Sequence, residues 1–245
     1  QFIVRRKPNQ SVITGSPADL HDGQANLAAS AADLFTDPVF GAGSQVDVDG
    51  GIDSASWNTL ATSLYGDTSK VDCSPILERG QTLRQFAAQL LAYYDGFFRF
   101  NSSGRIEAGR FPHNSAPPTF TAANTIDFHD LIDEVSFSSD GFASTANQTQ
   151  VKFTDRERSF KQAAVAFVSG YNLAVTGEPR SATIDRPWIT RRQQATDHAA
   201  EYGKINAEPK ISGTIVVRAE KAATIKQGDL FLLTHDALSV SIVCR

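Results

Sequence analysis

Methionine is absent from this sequence, and cysteine and tryptophan occur only twice each. Two cysteines as far apart as Cys73 and Cys244 cannot build a disulfide framework or a zinc cluster. They are expected as two reduced, partly buried thiols, with one long-range bridge as the alternative. A basic excess is also missing. Lys and Arg number 23 against 27 Asp and Glu, a net charge of −4 with a pI near 5.7, which argues against a dedicated nucleic-acid binder. No apolar run approaches the roughly 18 residues of a membrane span, and stretches such as Phe86–Leu91 are interrupted by polar residues. No signal peptide is visible. The zinc-protease His pair, the serine nucleophile elbow and the phosphate-binding P-loop are all lacking.

What is present is a globular composition. The chain has 245 residues, 41% hydrophobic and 20% charged, enough to form a packed core. Its length suits one large or two modest domains. It opens on Gln1 and closes within a strand-like run, Ser241–Arg245, and is read as an internal segment of a longer polypeptide.

Hydrophobic spacing divides the chain. Residues 1–16 read as an entering strand, Phe2–Arg6, and a loop of an upstream β domain. Residues 17–112 read as an α+β module. Leu27, Ala31, Leu34 and Phe35 recur at helical spacing until Asp37-Pro38, and Trp57, Leu60, Ala61, Leu64 and Tyr65 mark a second helix. A strand is expected over Val71–Leu77. A third helix from about Thr82 is expected to bury Leu83, Phe86, Leu90 and Leu91, followed by a hairpin across Ser102-Ser103-Gly104. Residues 113–124 read as a linker. Residues 125–245 read as a β-rich domain with one inserted helix, incomplete at its C-terminal end. There Val151 and Phe153 alternate with Gln150, Lys152 and Thr154, the pattern of a half-buried strand. Thr190 and Gln193 fit a capping box at the start of the inserted helix.

No residue set stands out as catalytic, cofactor-binding or metal-binding. Asp47, Asp49 and Asp53 are spaced as in a calcium loop, but Ile52 and Asn58 occupy the positions that need glycine and glutamate. Asp53 reads better as a helix start. His21, His113, His129, His198 and His235 are scattered, with His198 expected on a wet helix face. Tyr93, Tyr94, Phe97 and Phe98 could stack on sugars, but their place between a helix end and a hairpin makes them core. Lys152, Arg156, Arg158 and Lys161 surround Asp155 and Glu157. They are expected to pair with carboxylates or to face a neighbouring subunit.

Five stretches share one order. They are Ala32–Gly43; Val71-Asp72-Cys73 with Gln81–Leu91 and Gly104-Arg105-Ile106; Asn147–Asp155; Thr190–Ala195; and Gln227-Gly228-Asp229, with Gln227 where proline is frequent. In this order the sequence resembles the hub region of long-tailed bacteriophage tail tip attachment proteins, the lambda-type host specificity family. The resemblance covers about residues 30–235. It implies an α+β, strand-rich hub, with a partly closed β-barrel-like domain and a smaller α+β module. It implies a structural virion protein, assembled in the host cytoplasm as a homotrimer, that joins tail tube to tip and host-recognition parts. Its expected partners are distal tail or tail tube proteins, tail fibre or tip proteins, and DNA in transit. No enzyme activity, cofactor or small-molecule substrate is implied. A receptor- or carbohydrate-binding tail module is the alternative, and a cell-wall hydrolase a weaker one.

Overall fold

The computed structural model describes residues 12–15, 24–39, 41–66, 72–76, 81–111, 119–133, 135–226, 228–235 and 240–244. In chain order the elements are β1 (Ala25–Asn26), α1 (Leu27–Thr36), α2 (Ser54–Gly66), β2 (Asp72–Cys73), α3 (Leu83–Tyr94), β3 (Gly96–Phe100) and β4 (Ile106–Arg110). Then follow β5 (Thr125–Ile126), β6 (Ser136–Ser139), β7 (Gln148–Asp155), β8 (Lys161–Val168), α4 (Gly170–Thr176), β9 (Ser181–Arg186) and α5 (Arg192–Ala207). The last are β10 (Ile211–Thr214), α6 (Ala219–Ala222), β11 (Phe231–His235) and β12 (Val240–Cys244). The class is α+β. The described strands form separate sheets of two or three strands, and no closed barrel is formed among the described residues.

Two compact units result, each built from two stretches of chain. One takes residues 1–110 and 142–208, the other 111–141 and 209–245. The segment 142–208 therefore packs with the N-terminal helices, a grouping that its sequence did not suggest. The entering strand at Phe2–Arg6 and the first half of the linker expected at 113–124 lie outside the described residues.

In the first unit, α1 starts where the Asn26 side chain accepts from the Ala28 N–H, a standard N-cap. It buries Leu27, Ala28, Ala29, Ala31 and Ala32. Phe35, Trp57 and Phe98 meet with ring centroids 5.2–5.6 Å apart. The Trp57 indole N–H donates to the Ile106 carbonyl at 2.9 Å, so the polar edge of this buried ring is satisfied. On α3, Phe86, Leu90, Tyr93 and Tyr94 are buried. Leu83, expected there, is exposed, because it sits in the first turn, beyond the packed part of the helix. The capping box found is Thr82 with Gln85, at the start of α3.

In the second unit, β11 lies between β12, antiparallel, and β5, parallel, and buries Ile126 and Leu233. β6 and β10 form a separate antiparallel ribbon, all eight residues of which are exposed.

A candidate assembly surface

The three-stranded sheet of the first unit has the order β8–β7–β9, with β8 antiparallel and β9 parallel to the central strand. The alternation along β7 sets its two faces. Thr149, Val151, Phe153 and Asp155 are buried against α5, while Gln148, Gln150, Lys152 and Thr154 are only partly covered. α5 can lie close because Gly203 has no side chain: a methyl group there would strike the Phe167 ring of β8. Ala195, His198 and Ala199 are buried on the same helix.

Among the described residues no helix covers the opposite face. Its rows run Ala164–Lys152–Asp185, Ala166–Gln150–Thr183 and Val168–Gln148–Ser181. A shallow groove of about 290 Å³ on this face is lined by Lys152, Thr154, Gln162, Asp185 and Pro187.

The β7–β8 turn carries the basic cluster. The Asp155 carboxylate, itself buried, accepts from the Glu157 N–H at 3.0 Å. Ser159 and Phe160 both adopt positive φ, 56° and 59°, a strained arrangement for residues with side chains. Phe160 remains exposed. Among the described residues no ion pair involves Lys152, Arg158 or Lys161.

Arg186, at the end of β9, is differently placed. Its guanidinium lies 5.0 Å from the Tyr93 ring centre and 5.3 Å from that of Tyr202, and it donates to the Ala92 carbonyl at 3.0 Å. The Tyr202 hydroxyl donates to the same carbonyl at 2.6 Å. The Trp188 ring stacks on Tyr93 at 4.8 Å, and the Trp188 backbone N–H donates to the Tyr93 hydroxyl at 3.0 Å. Burial pushes the Tyr93, Tyr94 and Tyr202 hydroxyls upward in pKa.

Other candidates resolve into structural roles. Thr190 does not cap α5. It accepts from the Gln24 side-chain amide at 2.9 Å, and Arg191 occupies the cap position without a side-chain capping bond. His198, expected on a wet face, is buried beside Tyr202. His129 and His235 flank Phe128 in the second unit; His21 and His113 lie outside the described residues. Asp53 accepts from the Ser56 N–H at the start of α2, as expected for a helix start. Hydrogen bonds from Ser54 hold the Asp47 carboxyl below its usual pKa, with Arg105 adding to the effect. No group of three or more His, Cys, Asp or Glu is placed to hold a metal ion among the described residues. Cys73 is buried and Cys244 half-buried, and the two are not bridged. Tyr93 and Tyr94 are buried and Phe97 and Phe98 half-buried, so the two tyrosines offer no stacking platform.

The sequence marks Lys161–Val168 as a strand, but local pattern did not bring out its place at the sheet edge. Lys161–Val168 holds one terminal charge and no proline, so it carries none of the features that usually blunt an edge strand beyond that lysine. That signal was available in the residues themselves.

No protein-family model matches this chain, and neither does any curated protein. Among solved structures it is similar to the 43 kDa tail protein of prophage MuSo2 from Shewanella oneidensis. That match has a TM-score of 0.49 and 13% identity, over 92% of this chain and 62% of that one. It is also similar to prophage tail protein gp18 from Listeria monocytogenes EGD-e, with a TM-score of 0.37 and 15% identity, over 66% of this chain and 46% of that one. The chain thus spans less than two thirds of either protein.

Proposed function

We propose that this chain is a structural part of a phage tail. It serves in the tail tip or baseplate hub, where it joins the tail tube to the tip and its host-recognition parts. The observation that carries this reading is the shared order and spacing of the five sequence stretches between Ala32 and Asp229. Several of them fall at structurally demanding positions. Asn147–Asp155 is the buried central strand with its preceding residue, and Gln194 and Ala195 are buried where α5 meets the sheet. A hub needs surfaces that fit neighbours and needs no nucleophile or resident cofactor. In this reading the chain acts as a homotrimer around a passage for DNA, and the strand-rich parts contribute to a barrel-like wall. The virion is its place of action.

The test is an electron-microscopy reconstruction of the particle with this segment labelled. Density at the tail tip with threefold symmetry is the expected result. A label in a side fibre, or a symmetry not divisible by three, refutes the reading.

A further inference from the structure

We propose that β8 and β9 are the two halves of one intermolecular contact, with β8 of one copy adding to the outer edge of β9 in the next. This rests on the reading that copies of the chain assemble with one another. Among the described residues the sheet is covered on one face only, and the two flanks differ from its centre. The face-inward residues of β7 are fully buried. Those of β8 (Ala163, Val165, Phe167) and β9 (Ala182, Ile184, Arg186) are only half-buried. Neither outer edge has a strand partner among the described residues. All eight residues of β8 are in unbroken register with β7, without bulge or proline. An edge this regular is a template for another strand.

The second copy is the fitting occupant for three reasons. β8 and β9 run in opposite directions, because one is antiparallel and the other parallel to β7. The next copy's β8 therefore meets β9 as an antiparallel pair, the commoner kind. The covered residues are odd-numbered in β8 and even-numbered in β9. The covered faces are therefore continuous only when an odd β8 residue stands opposite an even β9 residue. Charge agrees with one such register, which prolongs the present rows: Ala164 opposite Asp185, Ala166 opposite Thr183 and Val168 opposite Ser181. There only the methyl group of Ala164 stands between Asp185 and the Lys152 of the next copy. Lys161 is kept from lying opposite Arg186. A head-to-tail contact of this kind closes into a ring when its rotation permits.

The test uses the full-length polypeptide with Cys244→Ser as background. Ala164→Cys is combined in turn with Asp185→Cys, Thr183→Cys and Ser181→Cys, which samples the neighbouring registers. Within one chain β8 and β9 lie two strand spacings apart, about 9.5 Å, too far for a disulfide, whose Cα atoms lie within about 7 Å. On oxidation, one double variant should give cross-linked dimers and trimers, and every single variant should give none. A dimer from Ala164→Cys alone would overturn the inference in favour of β8 pairing with β8. An oligomer by light scattering that none of the double variants cross-links would overturn the edge contact and leave the assembly reading standing. A chain that stays monomeric, alone and in tail preparations, would overturn both. Unchanged emission from Trp57 and Trp188 establishes that each variant is folded.

Discussion

Replacing Arg186 with alanine removes a cation held between two aromatic rings and a bond to the end of a helix. Each cation–π contact at a partly exposed site contributes about 0.5–1 kcal/mol, and a hydrogen bond from a charged donor about 1.5–3 kcal/mol. Two observations place the net loss toward the low end. The Ala92 carbonyl keeps its bond from Tyr202, so the acceptor is not stranded. The Arg186 Nε–H is buried without a partner in the native protein, a penalty that the substitution relieves. The expected loss is therefore about 2–3 kcal/mol. Both tryptophans, Trp57 and Trp188, are buried in the first unit, so their emission follows the unfolding of that unit alone. With a urea slope of about 1–3 kcal/mol per molar, Arg186→Ala should lower the midpoint by about 1 M. Arg186→Lys, which keeps the charge but lacks a planar group to lie between both rings, should recover only part of this. A midpoint within about 0.2 M of wild type would refute the claim that the guanidinium ties β9 and α5 to the end of α3.

Three further outcomes follow from the same packing. Leu90→Ala should cost about 2–5 kcal/mol because Leu90 is fully buried, whereas Leu83→Ala should stay within about 0.5 kcal/mol; equal losses by urea titration would show that the α3 face is misassigned. Thr82→Ala should cost about 0.5–2 kcal/mol through the lost cap of α3, and a thermal scan showing no change would remove that role. For the tyrosines, the sign follows from the direction of the shift. The folded state holds Tyr93, Tyr94 and Tyr202 protonated above their unfolded pKa of about 10. Stability should therefore be level below pH 10 and fall above it, by about 1.4 kcal/mol per pH unit for each tyrosine that stays protonated. Tyr94→Phe should be near neutral at pH 7, since the buried hydroxyl has no hydrogen-bond partner, and should make the alkaline decline shallower. A steep decline unchanged in that variant would assign the effect elsewhere.

Local pattern was legible in the sequence wherever packing follows one periodicity. Helical spacing located α1, α2 and α3 to within a residue or two, and alternation located β7. The failures share a cause. Two Thr-x-x-Gln sequences look alike, yet only Thr82 meets its helix, because the buried Gln24 claims Thr190. The buried stripe of α5 includes Gln194 and His198, so its inner face is polar and hydropathy pointed His198 outward. The pairing of 142–208 with 1–110 is carried by contacts such as Tyr93 with Trp188, far apart in sequence and without a local signature. The basic turn is a different case. Spacing located Lys152, Arg156, Arg158 and Lys161 on a hairpin, but what a charged side chain there faces leaves no local signature.

The interleaving of the two units has a consequence during synthesis. The first unit lacks β7, β8, β9 and α5 until residue 208 has been made, 98 residues after its first stretch ends at residue 110. At about 5–20 residues per second, the N-terminal helices wait on the order of 5–20 s with Phe86, Tyr93 and their neighbours uncovered. The stretch 111–141 emerges in that interval and can be completed only by residues made still later. Cleaving the chain near residue 115 would thus not release two autonomous halves. It would leave two fragments, each carrying part of the first unit, that regain a native core only by finding one another.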